Sequence, residues 1–468
     1  MRKRNLFVLA MLGGAAGYCL KELNPKLAGD VENFVGDVGD AVKNTDLYQN
    51  VKGKAEELSD AIKERLTPDE DERPVVRFTN DISSPIRPED GVNNNALVFC
   101  SDKKKRKKAL IDPNLMQQAA SFIVIDKKEE GYEAEETYLM HNGYVVKHCV
   151  LGTDLPLSMQ YNPFAYIKDE GDVAELANAV LSVDTVLTAF TTALVPPDKS
   201  FVDSARFLLS ACALYVQNKM KDKASVAKML GLFPVVVTED TFEVNAEAFY
   251  ELFKSLDKDA AGLKYYEKFC SEAGQQMEAV FLYVYEKLKK FCECCSGKDS
   301  LELEKLQEKK TALYLHCGTS KENEDVYEAC VNLMLKQYIS LLRNKITTAL
   351  PLEIFWNDPV GSFGKYTTSI ATDLFRLKHW DASIMMFFEE PSDLIAFPEW
   401  ETVVKVCSNL LVIPGDDETS QLATEFLSNT LNIPPFWDVI EDNECLLVSI
   451  NQGNEVAYKD KQCNETIE

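Results

Sequence analysis

The stretch Ala96-Leu97-Val98-Phe99-Cys100, followed at once by Ser101-Asp102 and six basic residues, decides the fold class of this sequence. A strand that is apolar at consecutive positions, and not only at alternate ones, is covered on both faces, which is typical of a parallel sheet between layers of helices. Helical stretches separate such runs along the chain, so the sequence predicts an α/β sandwich. The other runs are Phe122–Ile125, Val145–Val150, Ala312–Leu315, Ile384–Phe388, Leu410–Ile413 and Leu446–Val448.

The region between residues 172 and 300 contains no comparable strand-like run. Its apolar stretches have helical spacing, and polar residues such as Asn178 and Asp203 interrupt the first two. Ionisable residues are rare within membrane spans, so we interpret these stretches as buried core helices. The sequence therefore predicts an all-α domain inserted into the sheet. The three stretches are Leu176–Val195, Phe201–Val216 and Met277–Phe291.

The charge balance limits the possible partners. Of 468 residues, 75 are Asp or Glu and 50 are Lys or Arg, which gives a formal net charge of -25. Such a field repels the phosphates of DNA, so any contact with nucleic acid is expected to be local. Hydrophobic residues make up 46% of the chain, which is typical of a globular protein.

The 13 cysteines are spaced irregularly, which favours a reducing, cytosolic compartment. Cys292, Cys294 and Cys295 form the one candidate metal or redox feature, but no second ligand pair follows at a usable spacing. We therefore predict no metal site. The four histidines form no local pair in the sequence, and no nucleophile motif of the Gly-x-Ser-x-Gly type occurs.

The N-terminus combines Arg2-Lys3-Arg4 with an apolar run from Leu6 to Leu20. This run of 15 residues would be about 22 Å long as a helix, which is short for a bilayer core of about 30 Å. We predict an uncleaved membrane anchor over residues 1–25, with a cleaved signal peptide as the alternative. Residues 26–90 are predicted to form an amphipathic helical stalk and then a linker that begins near Thr67-Pro68. The composition of the whole stretch up to Leu66, anchor and amphipathic helix together, resembles small YtxH-type membrane proteins.

A resemblance to a known family rests mainly on the segment Tyr161-Asn162-Pro163-Phe164-Ala165-Tyr166 and on the Asp172-Val173 that follows. This segment resembles the Asn-Pro segment of TraG-type coupling proteins of conjugative type IV secretion. The similarity extends from about residue 95 to residue 462. Supporting segments are Pro113–Gln117, Asp126–Glu130, Asn443–Leu447 and Tyr458–Lys461.

The resemblance implies a RecA-like, three-layer α/β domain of the P-loop type with an inserted all-α domain. The first part of the α/β domain would span residues 91–171, the insertion 172–300 and the second part 301–468. Members of the family form hexamers that use ATP to move DNA or protein into the secretion channel, and their helical domain selects the cargo.

The phosphate-binding loop of the family is degenerate in this sequence. Such a loop needs glycines for a backbone cradle, a Lys for the phosphate charge and a Ser or Thr for Mg²⁺. The corresponding segment, Ser101 to Lys108, has no glycine, so its β-carbons would obstruct the cradle. We predict no bound cofactor. The basic residues could contact an anion, in a nucleic acid or an anionic lipid, or could form only a solvated turn. They are Lys103, Lys104, Lys105, Arg106, Lys107 and Lys108.

The second nucleotide motif of the family is an apolar strand that ends in acidic residues. Here Glu389 and Glu390 follow Ile384–Phe388 and occupy this Walker B position in vestigial form. Without a phosphate cradle we predict no catalytic residue. A further strand of the family, which senses the nucleotide, is missing between Pro391 and the run at Leu410.

These observations predict a membrane-tethered pseudo-ATPase that acts as an accessory or regulatory subunit of a type IV secretion or DNA-transfer apparatus. The body would lie on the cytoplasmic side of a bacterial cell membrane, bind protein partners, contact DNA only locally, and form homo- or hetero-oligomers. One alternative is an active coupling ATPase with an atypical site, and another is a structural membrane-surface protein. Aromatic residues of the insertion would either bind partners or fill its core: Tyr265, Tyr266, Phe269, Phe281, Tyr283 and Tyr285.

Overall fold

The computed structural model describes residues 75–87, 93–127, 132–152, 158–183, 198–233, 235–237, 242–318, 324–343, 350–359, 370–397, 399–431, 441, 443–451 and 454–463. Every described residue belongs to one compact unit, Pro74–Glu468. The predicted membrane anchor and stalk lie outside the described residues. Within the described part, no helix is both long enough and apolar enough to cross a bilayer.

The strands of the described residues are β1 Val75–Arg77, β2 Ser83–Pro85, β3 Ala96–Phe99, β4 Ser121–Ile125, β5 Val145–Leu151, β6 Val235–Val237, β7 Phe242–Val244, β8 Thr311–Cys317, β9 Leu352–Asn357, β10 Ala382–Phe388, β11 Asn409–Val412, β12 Glu444–Asn451 and β13 Asn454–Lys461.

The helices are α1 Lys103–Arg106, a π turn at Lys107–Ile111, α2 Asp112–Met116, α3 Glu133–His141, α4 Glu170–Ser182, α5 Lys199–Met220, α6 Val226–Leu230, α7 Ala246–Lys254, α8 Ala261–Ala273, α9 Met277–Cys292, α10 Glu324–Arg343, α11 Ile370–Leu377, α12 Pro391–Ile395, α13 Trp400–Val406 and α14 Asp417–Leu431.

Nine strands form the central sheet, in the order β13-β12-β11-β3-β10-β9-β4-β8-β5. The seven strands from β11 to β5 are parallel to their neighbours, and β12 and β13 add an antiparallel hairpin at one edge. Every apolar run that the sequence indicated lies in this sheet, so the predicted α/β architecture is confirmed.

Two strands of this sheet were not predicted. The run of β9 is interrupted by Glu353, which is buried in the centre of the sheet. Strand β13 lies at an edge, and its sequence Asn-Glu-Val-Ala-Tyr-Lys-Asp-Lys is rich in polar residues. A buried carboxyl group and a half-solvated edge strand both weaken the continuous apolar signal on which the prediction depended.

Helices cover both faces of the sheet and give a three-layer sandwich. On β3, Leu97 and Phe99 belong to the core that includes α4, α5 and α10, whereas Ala96 and Val98 face the opposite core. The opposite core contains Leu110 of the π turn and Leu139 of α3. The alternation along one short strand therefore explains why all four of its residues are apolar and buried.

The segment 75–87, which the sequence analysis assigned to the linker, forms the hairpin β1–β2. Val76 and Phe78 of this segment are buried in the second core. The amide of Arg77 donates to Asn114 Oδ1 (2.8 Å), and Thr79 Oγ1 donates to Asp460 Oδ2 (2.5 Å). The compact body therefore begins before residue 91.

Helices α4 to α9 make up most of the region predicted as the insertion. One expectation for this region was wrong: it contains two short strands, β6 and β7, which pair as an antiparallel hairpin. Their runs of three residues are too short to stand out as strands in the sequence.

The Asn-Pro segment fixes the start of the helical region. Asn162 Oδ1 accepts from the amide of Phe164 (3.2 Å), and Asn162 Nδ2 donates to the carbonyl of Ala224 (2.9 Å). Gln337 of α10 donates to the carbonyl of Pro163 (2.9 Å) and accepts from the hydroxyl of Tyr161 (2.7 Å). The residues that carry the family resemblance therefore connect the helical region to the sheet-covering helix α10.

Candidate functional site

The candidate site lies at the carboxyl edge of the central strands. Phe99 of β3 is in register with Phe388 of β10, and Phe387 of β10 with Asn357 of β9. The residues after these strands therefore meet at one edge, which is where open α/β sheets bind ligands. The segment Cys100–Lys108, the acidic pair Glu389–Glu390 and Asp358 all follow strands at this edge.

Only three residues separate helix α1 from β3, and the last of them, Asp102, caps the helix. Asp102 Oδ1 accepts from the backbone amides of Lys104 (2.8 Å) and Lys105 (3.2 Å). The first amides of a helix have no partner within the helix and carry a partial positive charge, so they favour an anion. In this chain the anion at the helix start is the chain's own carboxylate, and α1 continues through the π turn into α2.

A second segment packs directly on the turn after β3. Ser101 Oγ donates to Asp416 Oδ2 (2.7 Å), and a Cβ added to Gly415 would lie 3.0 Å from Ser101 N and 3.1 Å from Asp102 N. Only a glycine allows this approach without displacing backbone atoms. The loop between β11 and α14 therefore occupies the space beside the backbone of Ser101 and Asp102.

Asp416 is held by hydrogen bonds on this loop. The amide and hydroxyl of Thr419 donate to its carboxylate at 2.9 Å and 2.7 Å, together with the hydroxyl of Ser101. The hydrogen bond from the Thr419 amide, followed by those from Ser101 and the Thr419 hydroxyl, lowers the pKa of Asp416 to about 2. Asp416 is thus ionised and anchored at neutral pH.

The basic run is largely directed at acceptors of the chain itself. Arg106 is completely buried and binds Asp358, which Lys103 also binds, with Nζ 2.5 Å from Asp358 Oδ2. Lys107 pairs with the buried Glu135, and Lys105 Nζ donates to the carbonyl of Pro414 (3.0 Å). Four of the six predicted anion contacts thus bind acceptors within the protein. The other two, Lys104 and Lys108, are exposed.

Asp358 has a constrained backbone at the end of β9. Its φ of 47° lies in the left-handed region, and its amide donates to the carbonyl of Phe387 (2.9 Å). Burial alone would raise the pKa of Asp358, but the charge of Arg106 and the hydrogen bonds from Lys103 and Arg106 outweigh it and hold the pKa below its ordinary value. Asp358 is therefore a carboxylate held between two cations.

A further carboxylate, Asp126, follows β4 at the same edge. Its side chain is buried, accepts from the hydroxyl of Tyr132 (3.1 Å) and lies 3.9 Å from Lys103 Nζ. Its carbonyl lies 3.1 Å from His316 Nδ1. Burial, and then the charge of Asp126, raise the pKa of Tyr132 well above its ordinary value, so its hydroxyl stays protonated and acts as a donor.

The acidic pair of the vestigial Walker B position has two different environments. Glu390 caps α12: its amide donates to Asp393 Oδ2 (3.1 Å), and its Oε1 accepts from Ser392 Oγ (2.5 Å). Glu389 is exposed at the end of β10. The strand therefore places both residues at the site edge, as predicted, but Glu390 is part of a helix cap.

No group of three or more His, Cys, Asp and Glu side chains in the described part of the chain has the arrangement that a metal ion needs. Folding does bring His148 and His316, 168 residues apart in sequence, to a ring separation of 6.2 Å. It also brings Cys295 Sγ to 3.9 Å from Cys330 Sγ, and both cysteines are free. Burial raises the pKa of Cys330 well above its ordinary value, which keeps this thiol protonated and unreactive.

The sequence analysis missed three residues of the site: Asp102, Asp358 and Gly415. Asp102 could have been recognised, because Asp directly before a helix start is a strong N-cap signal. Asp358 could not, since the strand that delivers it was not predicted. Gly415 lies in a loop whose proximity to Ser101 depends on the pairing of β11 with β3.

A family model for conjugative DNA transfer proteins of the type IV secretory system matches residues 96–352, which is more than half of the chain. The chain belongs to this family. The match begins at β3 and ends at the first residue of β9, so it includes the segment Cys100–Lys108 of this family member. The predicted family is thereby confirmed. No individually curated protein matches the chain.

Solved structures of the conjugative coupling protein TrwB share the fold of this family member. A trigonal form of TrwBdeltaN70 in complex with sulphate has a TM-score of 0.55 and 13% sequence identity, and the match covers 86% of this chain and 92% of TrwB. The complex of TrwB with the GTP analogue GDPNP has the same TM-score, 12% identity and the same coverage. The predicted RecA-like fold is thus confirmed.

Proposed function

We propose that this conjugative DNA transfer protein is a pseudo-ATPase. The observation that carries the proposal is the position of Asp102, whose carboxylate accepts from the backbone amides of Lys104 and Lys105 in the first turn of the helix after β3. A nucleotide phosphate would need these amides, and a second anion beside the carboxylate would be repelled. The residues present therefore do not fit a bound nucleotide, although TrwB has been solved with GDPNP.

The surroundings of Asp102 support the same proposal. The glycine-free turn offers no backbone cradle, and the loop at Gly415 lies against the amides of Ser101 and Asp102. Arg106, the most buried cation of the basic run, is already paired with Asp358. The acidic residue Glu390, next to the exposed Glu389, is engaged in a helix cap. The charge of Arg106 and the side chain of Glu390 are thus already engaged by other groups of the protein.

We further propose that the protein is an accessory or regulatory binding subunit of a type IV secretion or DNA-transfer apparatus. The family membership supports this role. An N-terminal anchor would hold the body at the cytoplasmic side of the cell membrane, and the net charge of -25 limits DNA to local contacts. The helical region 172–300 would provide the surface that distinguishes one partner from another.

A phosphate-release assay with the full-length protein tests the enzymatic part. We expect no release above the buffer rate with Mg-ATP, with or without DNA, and no change on Glu389→Gln. Release that depends on the protein and falls on Glu389→Gln would overturn the pseudo-ATPase proposal in favour of an active ATPase with an atypical site.

Co-purification from native membranes tests the binding role. We expect components of a secretion or DNA-transfer apparatus to co-purify with the wild-type protein, and the set to change when residues 172–300 are replaced by the equivalent region of a relative. An unchanged set of partners would contradict the assignment of recognition to this region. The absence of any such component would favour a structural role at the membrane surface.

A further inference from the structure

The side chain of Arg106 is held in a fixed orientation within the protein. It is 0% exposed, its Nε donates to the carbonyl of Cys100 (2.5 Å), and its Nη1 donates to Asp358 Oδ1 (2.5 Å). Its Nη2 is buried and finds no acceptor within the described part of the chain. A buried guanidinium requires an anionic partner, and here the two N–H groups of Nη2 remain for a further oxygen.

Lys103 completes a pair of cations around one carboxylate. Its Nζ lies 2.5 Å from Asp358 Oδ2 and 3.9 Å from Asp126 Oδ1. Arg106 therefore binds one oxygen of Asp358 and Lys103 binds the other. The side chain of Lys103 is 42% exposed, so this part of the site is open to solvent. Two cations directed at two oxygens are the arrangement that binds phosphate-like oxyanions in proteins.

Asp358 reaches this position through an unusual backbone conformation. Non-glycine residues with a positive φ are uncommon, and they persist where surrounding contacts determine the conformation. The contacts here are the hydrogen bond from its amide to Phe387 and the two charge pairs of its carboxylate. The carboxylate is thus presented to the two cations as a ligand would be.

We propose that Lys103 and Arg106 form an oxyanion-binding site that the carboxylate of Asp358 occupies as an internal ligand. The ligand class is a single tetrahedral oxyanion, phosphate or sulfate, bound by side chains and not by a backbone loop. The inference rests on the proposed function, since it explains what stabilises this edge of the sheet without a nucleotide. Removing the Asp358 carboxylate converts the site into one that takes an oxyanion from solution.

The test compares Asp358→Gly with the wild type in the full-length protein. Glycine accepts the left-handed backbone and leaves space beside Arg106, so the variant changes the ligand and not the loop. We expect about 20 mM inorganic phosphate to raise its melting temperature by roughly 2 °C or more over sodium chloride of equal ionic strength. The melting temperature of the wild type should be the same in phosphate and in chloride. Sulfate should raise the melting temperature of the variant as phosphate does.

Two further variants make the outcome decisive. Arg106→Met in the Asp358→Gly background should abolish the response, because the buried donors are lost. If Asp358→Gly does not fold, Asp358→Ser also removes the carboxylate and has a shorter side chain that leaves space beside Arg106, and it should bind radiolabelled phosphate saturably in equilibrium dialysis. Variants that respond to phosphate as the wild type does would overturn the proposal. Failure of the pseudo-ATPase proposal would appear separately, as nucleotide binding by the wild type.

Discussion

Arg106 Nη1 lies 2.5 Å from Asp358 Oδ1, although the two residues are 252 positions apart in the sequence. The contact joins the helix after β3 to the residue after β9, and β10 lies between these two strands in the sheet. An ion pair therefore spans three strands at the edge where related folds bind their ligands.

Breaking this ion pair should destabilise the protein strongly. Arg106→Met removes the buried cation and leaves Asp358 with Lys103 alone, and Asp358→Asn leaves a buried guanidinium without a charge partner. We expect each change to lower the free energy of unfolding by about 3–5 kcal/mol. In urea unfolding, the double variant should lose less unfolding free energy than the sum of the losses of the two single variants. Additive losses would show that the two charges do not interact.

The close approach of Gly415 to Ser101 gives a second prediction. A Cβ at position 415 would clash with Ser101 Oγ and would lie 3.0 Å and 3.1 Å from the backbone nitrogens of Ser101 and Asp102, so Gly415→Ala must displace the loop. We expect a loss of about 1–3 kcal/mol in thermal or urea unfolding. Gly297→Ala is the matched control, because a Cβ there meets nothing within 4 Å. Equal stability of the two variants would contradict the packing described for this loop.

The cap of α1 can be tested by two substitutions at one position. Asp102→Ala removes the acceptor for the amides of Lys104 and Lys105 and should cost about 0.5–2 kcal/mol of stability. Asp102→Asn keeps an acceptor oxygen and should lose much less. Chemical unfolding of both variants measures the difference. If Asp102→Ala is as stable as Asp102→Asn, the carboxylate does not cap the helix in solution.

Buried Glu353 predicts a pH dependence of stability. Burial raises its pKa to about 8 from an ordinary value of 4.5, and its Oε2 has no hydrogen-bond partner among the described residues. The folded protein keeps this proton where the unfolded chain has released it. The stability that this retained proton contributes is therefore fully present below about pH 4.5. It is lost as the pH rises towards 8, by up to about 1.4 kcal/mol of unfolding free energy per pH unit.

Glu353→Gln should remove this part of the pH dependence. The difference in unfolding free energy between the variant and the wild type should shift in favour of the variant between pH 5 and pH 8, and stay constant above that range. Urea unfolding at four or five pH values measures it. Parallel stability curves for the two proteins would mean that Glu353 does not carry a buried proton.

The sequence predicted the sheet well where both faces of a strand are covered. The continuous apolar runs Ala96–Phe99 in β3 and Ile384–Phe388 in β10 were recognisable because helices cover both faces of the sheet. The same criterion failed for β9, since Glu353 interrupts it, and so Asp358 could not be placed. The sequence also left open whether aromatic residues of the helical region bind partners or fill its core. The structure shows that four of them are buried in the core: Tyr266, Phe269, Phe281 and Tyr283.

The candidate site could also be predicted only in part from the sequence. The missing glycines of the segment Ser101–Lys108 indicated that a phosphate cradle could not form, which depends only on local chemistry. Which groups replace it depends on contacts between distant segments, as with Lys107 and Glu135 or Ser101 and Asp416. The basic run therefore suggested an anion contact, whereas most of its cations bind acceptors within the protein.

The central claim is that the carboxylate of Asp102 takes the place of a nucleotide phosphate at the helix after β3. Titration calorimetry of the full-length wild type with Mg-ATP tests this claim most directly. We predict no binding heat up to millimolar nucleotide, both for the wild type and for Glu389→Ala as the matched control. Saturable binding with a micromolar Kd in the wild type, lost on Glu389→Ala, would contradict the account.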